Sequence, residues 1–546
     1  MRSVTSSRRS VTNFHLSGYY AALVRCAVIV TLAPRLPSPR LPIVRRFAAC
    51  ASALLSACAL AGCISMAPDA RTPARVEQMP ESFAQAELAE TGEYTPENWW
   101  RAFEDPVLDD LVEKALASNL DIAESAARLR QARAQARVSR AALVPQTSLA
   151  GDASETSSPL AGLAFGDLGG GGSDRIDNEA YTLGATASYE LDLFGRARDD
   201  FRAARQDAIA SERDLKTVQL STAAETISAY FDYVDTARQI ALTERTVEVL
   251  RDRANRTDER FERGLVDSLE LYQIRQDLRS TESSLPQLRS TLVATRSRLA
   301  LLLGAYPAEL DEALSQPLRP RLVFESVPSG LPIAILAQRP DVAAEYERLE
   351  AARLRIGARR AERFPALSFT ATLGTQGADP AGAFDFATNW TSSLLAAFTA
   401  PLFDGGRITA NIASARATYD QQAAAYARSV ITAFGEVESA LADYEQQRDR
   451  YALVSEQLAE SRGSLDLQSR RFAAGTGDYL AYLDALRTVY GVETNLSTAA
   501  RATALARLGL HRALGGDWSP GGAPGDARSV DMQRSDKTTL DNGEAS

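Results

Sequence analysis

No proline occurs between Leu160 and Leu285, nor between Leu402 and Ser519. Both stretches are rich in Ala, Arg, Gln, Glu and Leu, which lose little freedom in a helix, whereas an interior proline would cost about 3 kcal/mol. The second stretch carries Val430, Val437, Tyr444, Tyr451, Leu458, Leu465 and Phe472, seven residues spaced by seven. The first carries Tyr233, Ile240, Val247, Ala254 and Phe261 at the same spacing. Apolar residues at that period mark coiled-coil packing rather than one helix laid on a globular core. A helix from about Arg198 to Arg260 would be on the order of 90 Å long at ~1.5 Å per residue. No compact domain needs that length; a tube or a bridge between compartments does.

The two stretches align at an offset of 211 residues. Phe261-Glu262-Arg263-Gly264 matches Phe472-Ala473-Ala474-Gly475, Asp267 matches Asp478, Leu269 matches Leu480, and Leu303-Gly304 matches Leu514-Gly515. An earlier segment repeats at an offset of 220: Asn119-Leu120-Asp121 against Arg339-Pro340-Asp341, Leu129 against Leu349, Ala132-Arg133 against Ala352-Arg353, and Pro145 against Pro365. The chain is therefore two copies of one unit, far longer than a solenoid repeat.

Each copy reads as helix, strand, loop, strand, long helix, turn, helix. The first helix is expected over Pro106–Leu143. Strands are expected near Gln146–Ala153, Tyr181–Leu191, Ala366–Gly374 and Trp390–Ala400. Phe-Gly-Arg at 194–196 and Phe-Asp-Gly-Gly-Arg at 403–407 break the strands and open the long helices. At the turns, Gly264 and Gly475 permit left-handed closure of one helix, and Asp267 and Asp478 cap the next. Asp267 and Glu270 have capping-box spacing, and Asp341 is expected to cap a helix starting at Val342. After Cys63 no stretch approaches the ~20 apolar residues of a spanning helix, so a membrane crossing would have to use strands. Four strands cannot close on themselves, and open edges in lipid leave backbone groups unpaired. Closure needs at least two chains, and a third would also serve.

The cysteines are Cys26, Cys50, Cys58 and Cys63, and the histidines are His15 and His511. With no cysteine after residue 63, the body has no disulfide framework, Cys-based zinc site or Cys nucleophile. A Ser-His-Asp triad or a His-rich metal site has almost nothing to draw on. Neither an enzyme, a metal site nor a cofactor is expected. The Gly169–Gly172 run lacks the Lys-Ser/Thr of a phosphate-binding loop. Residues 1–62 hold eight Arg and no acid, a net of +8; the whole chain is at −10, so residues 63–546 carry −18. So acidic a body argues against nucleic acid as a partner.

The basic start reads as an address. Arg45 and Arg46 precede an apolar run, Phe47 to Ala61, in the pattern of a secretory signal. Leu60-Ala61-Gly62-Cys63 resembles the bacterial lipobox, which makes Cys63 the expected lipidated first residue of the mature chain. Ordinary cleavage after small residues is the alternative. Ile64, in place of an Asp, favours sorting to the outer membrane. Residues 1–43 are long for an n-region, and a translation start near Val44 would shorten it.

Four motifs then stand in order on this duplicated frame: Trp99-Trp100-Arg101-Ala102-Phe103 with Asp105-Pro106-Val107-Leu108, Tyr189-Glu190-Leu191-Asp192-Leu193-Phe194-Gly195-Arg196, Arg339-Pro340-Asp341-Val342, and Gly477-Asp478-Tyr479-Leu480-Ala481-Tyr482-Leu483-Asp484-Ala485. Over residues 98–515 the chain resembles bacterial outer-membrane efflux proteins of the TolC/OprM type, in the lipid-anchored branch called NodT-like. The resemblance implies a mostly α fold with a transmembrane β portion. Its protomers would form a homotrimer with a shared 12-stranded β-barrel and a periplasmic α-helical barrel. It divides the chain into a signal with basic extension (1–62), a lipid-anchored equatorial segment (63–105), a first repeat (106–304), an equatorial connector (305–340), a second repeat (341–516) and a disordered tail (517–546). The implied function is the exit duct of a tripartite system. An inner-membrane pump of the resistance–nodulation–division class would supply it through a periplasmic adaptor, and the adaptor would dock at the hairpin tips around Gly264, Asp267, Glu270, Gly475 and Asp478.

The resemblance also places a periplasmic gate at Leu480, Asp484 and Arg487, with Leu480 as a plug and Asp484 as a carboxylate ring disfavouring anions. The alternative for Arg487 is a surface pair with Asp484 at i+3. Some relatives carry a second acid where this chain has Ala481. Some lock the closed state with a Tyr, an Arg and an acid at positions held here by Phe472, Gly477 and Glu270. That lock cannot form here, so Glu270 reads better as a capping-box partner, with Arg471 a possible substitute for the Arg. The rival reading of the whole chain is a periplasmic coiled-coil adaptor lipoprotein, which would have one hairpin and no paired strands.

Overall fold

In chain order the elements are helices α1 (Pro106–Ser118) and α2 (Leu120–Ala141), strands β1 (Gln146–Pro159) and β2 (Arg175–Leu191), and helices α3 (Arg196–Glu262) and α4 (Ser268–Leu302). The second copy supplies helix α5 (Pro340–Ala361), strands β3 (Ala366–Gly377) and β4 (Trp390–Thr399), and helices α6 (Arg407–Ala473) and α7 (Tyr479–Ala513). The computed structural model describes residues 65–80, 83, 99–159, 175–310, 314, 336 and 339–516. Cys63, the signal 1–62, the Gly169–Gly172 run, most of the 305–340 connector and the tail 517–546 lie outside the described residues.

The repeat is kept residue for residue in the helices. Both long helices have 67 residues and both return helices 35, and the starts of each pair are 211 apart. At ~1.5 Å per residue the long helices measure about 100 Å. α2 and α5 have 22 residues each and start 220 apart. The nine-residue difference between the two offsets falls in the β-hairpins, so the strand region varies between copies while the helices keep their phase. Of the twelve heptad residues, Val247, Ala254, Val430, Val437, Tyr444 and Leu458 are buried; Tyr233, Ile240, Tyr451, Leu465 and Phe472 are partly buried, and Phe261, beside the tip, is exposed.

The first helix does not run unbroken over Pro106–Leu143. It breaks at Asn119, whose backbone is extended (ψ 133°). The Asn119 Oδ1 accepts from the backbone N–H of Asp121 and Ile122 at 2.9 and 3.0 Å, and its Nδ2 donates to the Leu302 carbonyl at 2.9 Å. A side chain that caps one helix and ties it to another outweighs the local preference for continuity. Asp341 is likewise not the cap of its helix. The helix begins at Pro340, and Asp341, in its first turn, accepts from Arg339 at 2.8 and 3.1 Å. The buried Arg339 also reaches Glu436 and the Ala513 carbonyl at 2.6 and 2.9 Å, so this motif locks the start of α5 to α6 and to the end of α7.

The Trp99–Phe103 motif has a packing role. Trp99, Trp100 and Phe103 are buried with Leu108, Leu111, Ile227, Tyr230 and Leu299 in the largest apolar cluster. Asp105 caps α1 through the Val107 N–H at 3.0 Å and accepts the Tyr230 hydroxyl at 2.5 Å. His511 stacks on Trp99 with ring centroids 5.2 Å apart. Burial pushes its imidazole down to about 3, so it is neutral at any working pH.

The four strands form one antiparallel sheet in the order β1-β2-β3-β4, with β2 and β3 joining the two copies. Strands β1, β2 and β3 run longer than expected because pairing extends past the apolar runs into Ser, Thr and Asp positions. Register places Leu149, Leu183, Tyr189, Phe369, Leu373, Leu394 and Phe398 on one face, and Ser148, Asp152, Thr186, Glu190, Thr370 and Thr372 on the other. Apolar residues on one side and polar on the other is the pattern of a strand between lipid and water. Among the described residues β1 and β4 each have a free edge. No described helix is long and apolar enough to cross a membrane. Each second strand of a hairpin hands over to its long helix at a left-handed glycine, Gly195 (φ 78°) and Gly406 (φ 88°).

Candidate functional site

The far ends of the long helices build two matching tips. Gly264 (φ 73°) donates to the Phe261 carbonyl at 2.8 Å, and Leu265 to the Arg260 carbonyl at 2.9 Å. Gly475 (φ 72°) and Thr476 repeat this on Phe472 and Arg471 at 3.1 and 3.0 Å. Both are Schellman closures, in which glycine supplies the left-handed residue without the Cβ penalty. Asp267 then caps α4 through the Glu270 N–H at 3.0 Å, and Asp478 caps α7 through the Leu480 N–H at 3.3 Å. Gly477 has its own reason to be glycine: a Cβ there would sit 2.9 Å from the Arg471 Cβ and 3.0 Å from the Phe472 backbone N.

Glu270 is not the reciprocal partner of a capping box. Its Oε1 is buried without a hydrogen bond. Burial raises its carboxyl above the ordinary range, opposed by Arg260 and reinforced by Asp267 and by Asp478 of the other tip. Arg471 forms no ion pair among the described residues, so it does not replace the missing lock.

What holds the hairpins together is a seam between α3 and α4 of the first copy and α7 of the second. Nearest the tips, Tyr479, Tyr482 and Leu483 pack on Val247, Leu250, Ala254, Ile274 and Leu278. Phe472 stacks on Tyr482 at 5.7 Å, and the Arg253 guanidinium lies 5.0 Å from the centre of the Tyr482 ring. The attraction of a cation to the ring face adds to apolar burial here. One turn up, the Arg487 Nη2 donates to the Asp277 Oδ2 at 2.5 Å. Further up come Thr243 with Tyr490 at 3.0 Å, Ser497 donating to Asp235 at 2.6 Å, and Arg501 Nε donating to Asp232 at 2.5 Å. A cavity of about 210 Å³ opens beside the Asp277–Arg487 pair, walled by Thr246, Leu250, Asp277, Leu483, Arg487 and Tyr490.

The three gate positions thus fall differently. Leu480 is 48 % exposed just past the tip. Asp484 is exposed, and its carboxylate makes no ion pair among the described residues. Arg487 does not pair with Asp484 along one helix face; it reaches across to Asp277. Sequence reasoning missed Asp277, Asp235 and Asp232. Their signal was available only in part: each acid lies opposite an Arg or Ser of the second copy, and at the 211-residue offset Asp277 and Asp235 fall on Thr488 and Gln446 whereas Asp232 falls on another acid, Asp443.

Comparison with known proteins extends these observations. The family model described as outer membrane efflux protein matches residues 111–305 and 331–516. Outer membrane protein OprJ of Pseudomonas aeruginosa is 33 % identical over 477 residues, 86 % of this chain and 96 % of that protein. Cation efflux system protein CusC of Escherichia coli is 30 % identical over 463 residues, 85 % of this chain and 97 % of that protein. The open state of the MtrE outer membrane channel of Neisseria gonorrhoeae superposes with a TM-score of 0.70 at 26 % identity, covering 83 % of this chain and 98 % of that one.

Proposed function

The chain belongs to the outer membrane efflux protein family, whose members are transport channels, and from that premise we propose that three copies assemble into the exit duct of a tripartite efflux system. In this reading the free β1 edge of one protomer pairs with the free β4 edge of the next, closing twelve strands into one barrel. The long helices continue below it as a periplasmic tube. A pump of the resistance–nodulation–division class feeds the duct through a periplasmic adaptor seated at the two tips, and drugs or other small molecules pass outward.

The observation that carries this reading is the four-stranded sheet itself. It has one apolar face and two unpaired edges, and unpaired backbone in hydrocarbon costs several kcal/mol per group. A coiled-coil adaptor has no use for such a sheet. Cys63, lipidated, would tether the assembly to the membrane; a single chain binds marginally and several together hold stably.

The gate is Leu480 with Asp484, brought together by threefold symmetry, and Arg487 holds the gate helix to the first hairpin through Asp277. An exposed, unpaired Asp484 close to the tip suits a ring of carboxylates that attracts cations. The test is conductance in planar bilayers of heat-stable trimers taken from outer membranes. Asp484→Ala should relieve block by multivalent cations and raise conductance. Channels with unchanged conductance and unchanged block would refute the gate, and monomers without conductance would refute the duct.

A further inference from the structure

The first described residues, Ser65 to Pro68, occupy a slot between the start of α3 and the end of α5. At its floor the Asp199 carboxylate is fully buried. The Ser65 hydroxyl faces both of its oxygens at 2.9 and 2.7 Å. Among the described residues the only other hydrogen-bond partner of that carboxylate is the Arg202 Nη1 at 3.4 Å. The Ser65 Oγ in turn accepts from the Ala67 N–H at 3.2 Å. Two α5 guanidiniums hold the segment's carbonyls: Arg360 donates to Met66 at 3.1 Å and Arg353 to Pro68 at 2.5 Å. Ala67 packs on Ala203, Ala351 and Leu354. Gly357 leaves the room, since a Cβ there would lie 2.6 Å from the Ala67 backbone N and would run into Asp199.

A buried carboxylate is costly unless partnered. Without Ser65 this one would keep a single, long contact to a half-exposed arginine. The slot is therefore complete only when the segment is in it. Ser65 is two residues after Cys63, and an extended chain spans at most ~3.6 Å per residue, so the Cys63 Cα lies within about 7 Å of the Ser65 Cα. Asp199 follows the end of β2, at Leu191, by eight residues. The slot thus sits at the junction where strand gives way to helix.

We propose that Asp199, Gly357, Arg353 and Arg360 form a receptor for the chain's own post-anchor segment, fixing the lipid on Cys63 at the height of the strand-to-helix junction. The acyl chains then enter the membrane level with the strand ends rather than on a slack tether. Asp199 is a positioning residue here, and the inference rests on the reading of Cys63 as the lipid anchor.

Hydrogen exchange on full-length protein purified from outer membranes tests it, read on the peptide 65–72, with the mass of the N-terminal peptide and heat-stable trimer measured on the same samples. Gly357→Leu fills the slot from a position far from the signal and should speed exchange of 65–72 about tenfold, the mark of local release, with trimer and acyl mass unchanged. Ser65→Ala removes only the hydroxyl and should speed it severalfold; it decides the matter should Gly357→Leu fail to assemble. An acylated trimer with wild-type protection of 65–72 in Ser65→Ala, and in Gly357→Leu where that assembles, overturns the slot alone. An N-terminal peptide without acyl mass overturns the anchor reading and the inference with it.

Discussion

The long helix α3 makes two very different contacts with the second copy. Near the strands it meets α5 through acids spaced by seven, Asp200, Asp207 and Asp214. Asp200 takes Arg359 at 3.0 Å through both oxygens, Asp207 takes Arg355, and Asp214 takes Arg348 at 2.5 Å. Small residues fill the space between, with Ala203 and Ala351 fully buried. Near the tips the same helix, with α4, meets α7 through one ion pair, one hydroxyl pair, one cation–aromatic contact and an apolar cluster beside a cavity. The upper contact repeats one chemistry along its length, carboxylate to guanidinium every seven residues. The lower contact mixes chemistries and leaves space; on the proposed gate it would part at the tip while its upper rungs, Asp235–Ser497 and Asp232–Arg501, stay closed. A gate hinged on a rigid frame needs that asymmetry.

The largest expected effect is on the apolar part of the lower seam. Leu483 is 1 % exposed, and Leu483→Ala should cost about 2–5 kcal/mol, seen as a lower trimer dissociation temperature and a higher single-channel conductance. Unchanged conductance would mean that this cluster does not hold the gate shut. Next, Asp277→Arg should raise conductance strongly by setting two cations face to face, and Asp277→Arg with Arg487→Asp should restore it. Failure of the double variant to recover would show that the pair is a bystander. Arg487→Ala, which removes the pair from its half-exposed side, should cost little stability, about 0–1 kcal/mol.

A smaller effect should follow pH. The Glu270 carboxyl is raised in the folded tip, so the native state holds its proton more tightly than the unfolded chain does. Its ionisation opposes the packed tip, and that penalty sets in as pH rises through and above the usual carboxylate range. On the proposed gate, the packed tip should be more favoured at pH 5 than at pH 7, so conductance should rise between them, and Glu270→Gln should flatten that rise. A Glu270→Gln channel with the wild-type pH profile would contradict this. The smallest effect is expected at the upper contact. Arg355→Ala removes one rung between partly exposed side chains and should leave conductance unchanged, with a stability loss of at most about 1 kcal/mol. A clear gain in conductance would erase the distinction between the two contacts.

The helical frame was legible because its code is local. The 211-residue offset and the Gly264/Gly475 and Asp267/Asp478 pairs are read within single helices and turns, and they placed both hairpins within a few residues. The break at Asn119 was not legible, because its cause is the Leu302 carbonyl, more than 180 residues away. The strand ends were underestimated because a ladder is continued by backbone pairing whatever the side chain, so Ser154 to Pro159 look like loop until Arg175 to Ala180 lie beside them. For the seam, Arg487 had a near acid in sequence, Asp484, and a nearer one in space, Asp277. Only the way α4 and α7 pack decides between them, and that packing is a property of both copies at once.

The two free strand edges also govern how fast such a protein can be made. A protomer carries half-finished ladders on both sides and an apolar sheet face, and no described strand of the same chain completes them. Completion is a collision event among copies, and its rate falls steeply as chains become scarce. Cells producing few copies should accumulate waiting chains, which are open to proteases and to mispairing along β4, out of proportion to the drop in synthesis.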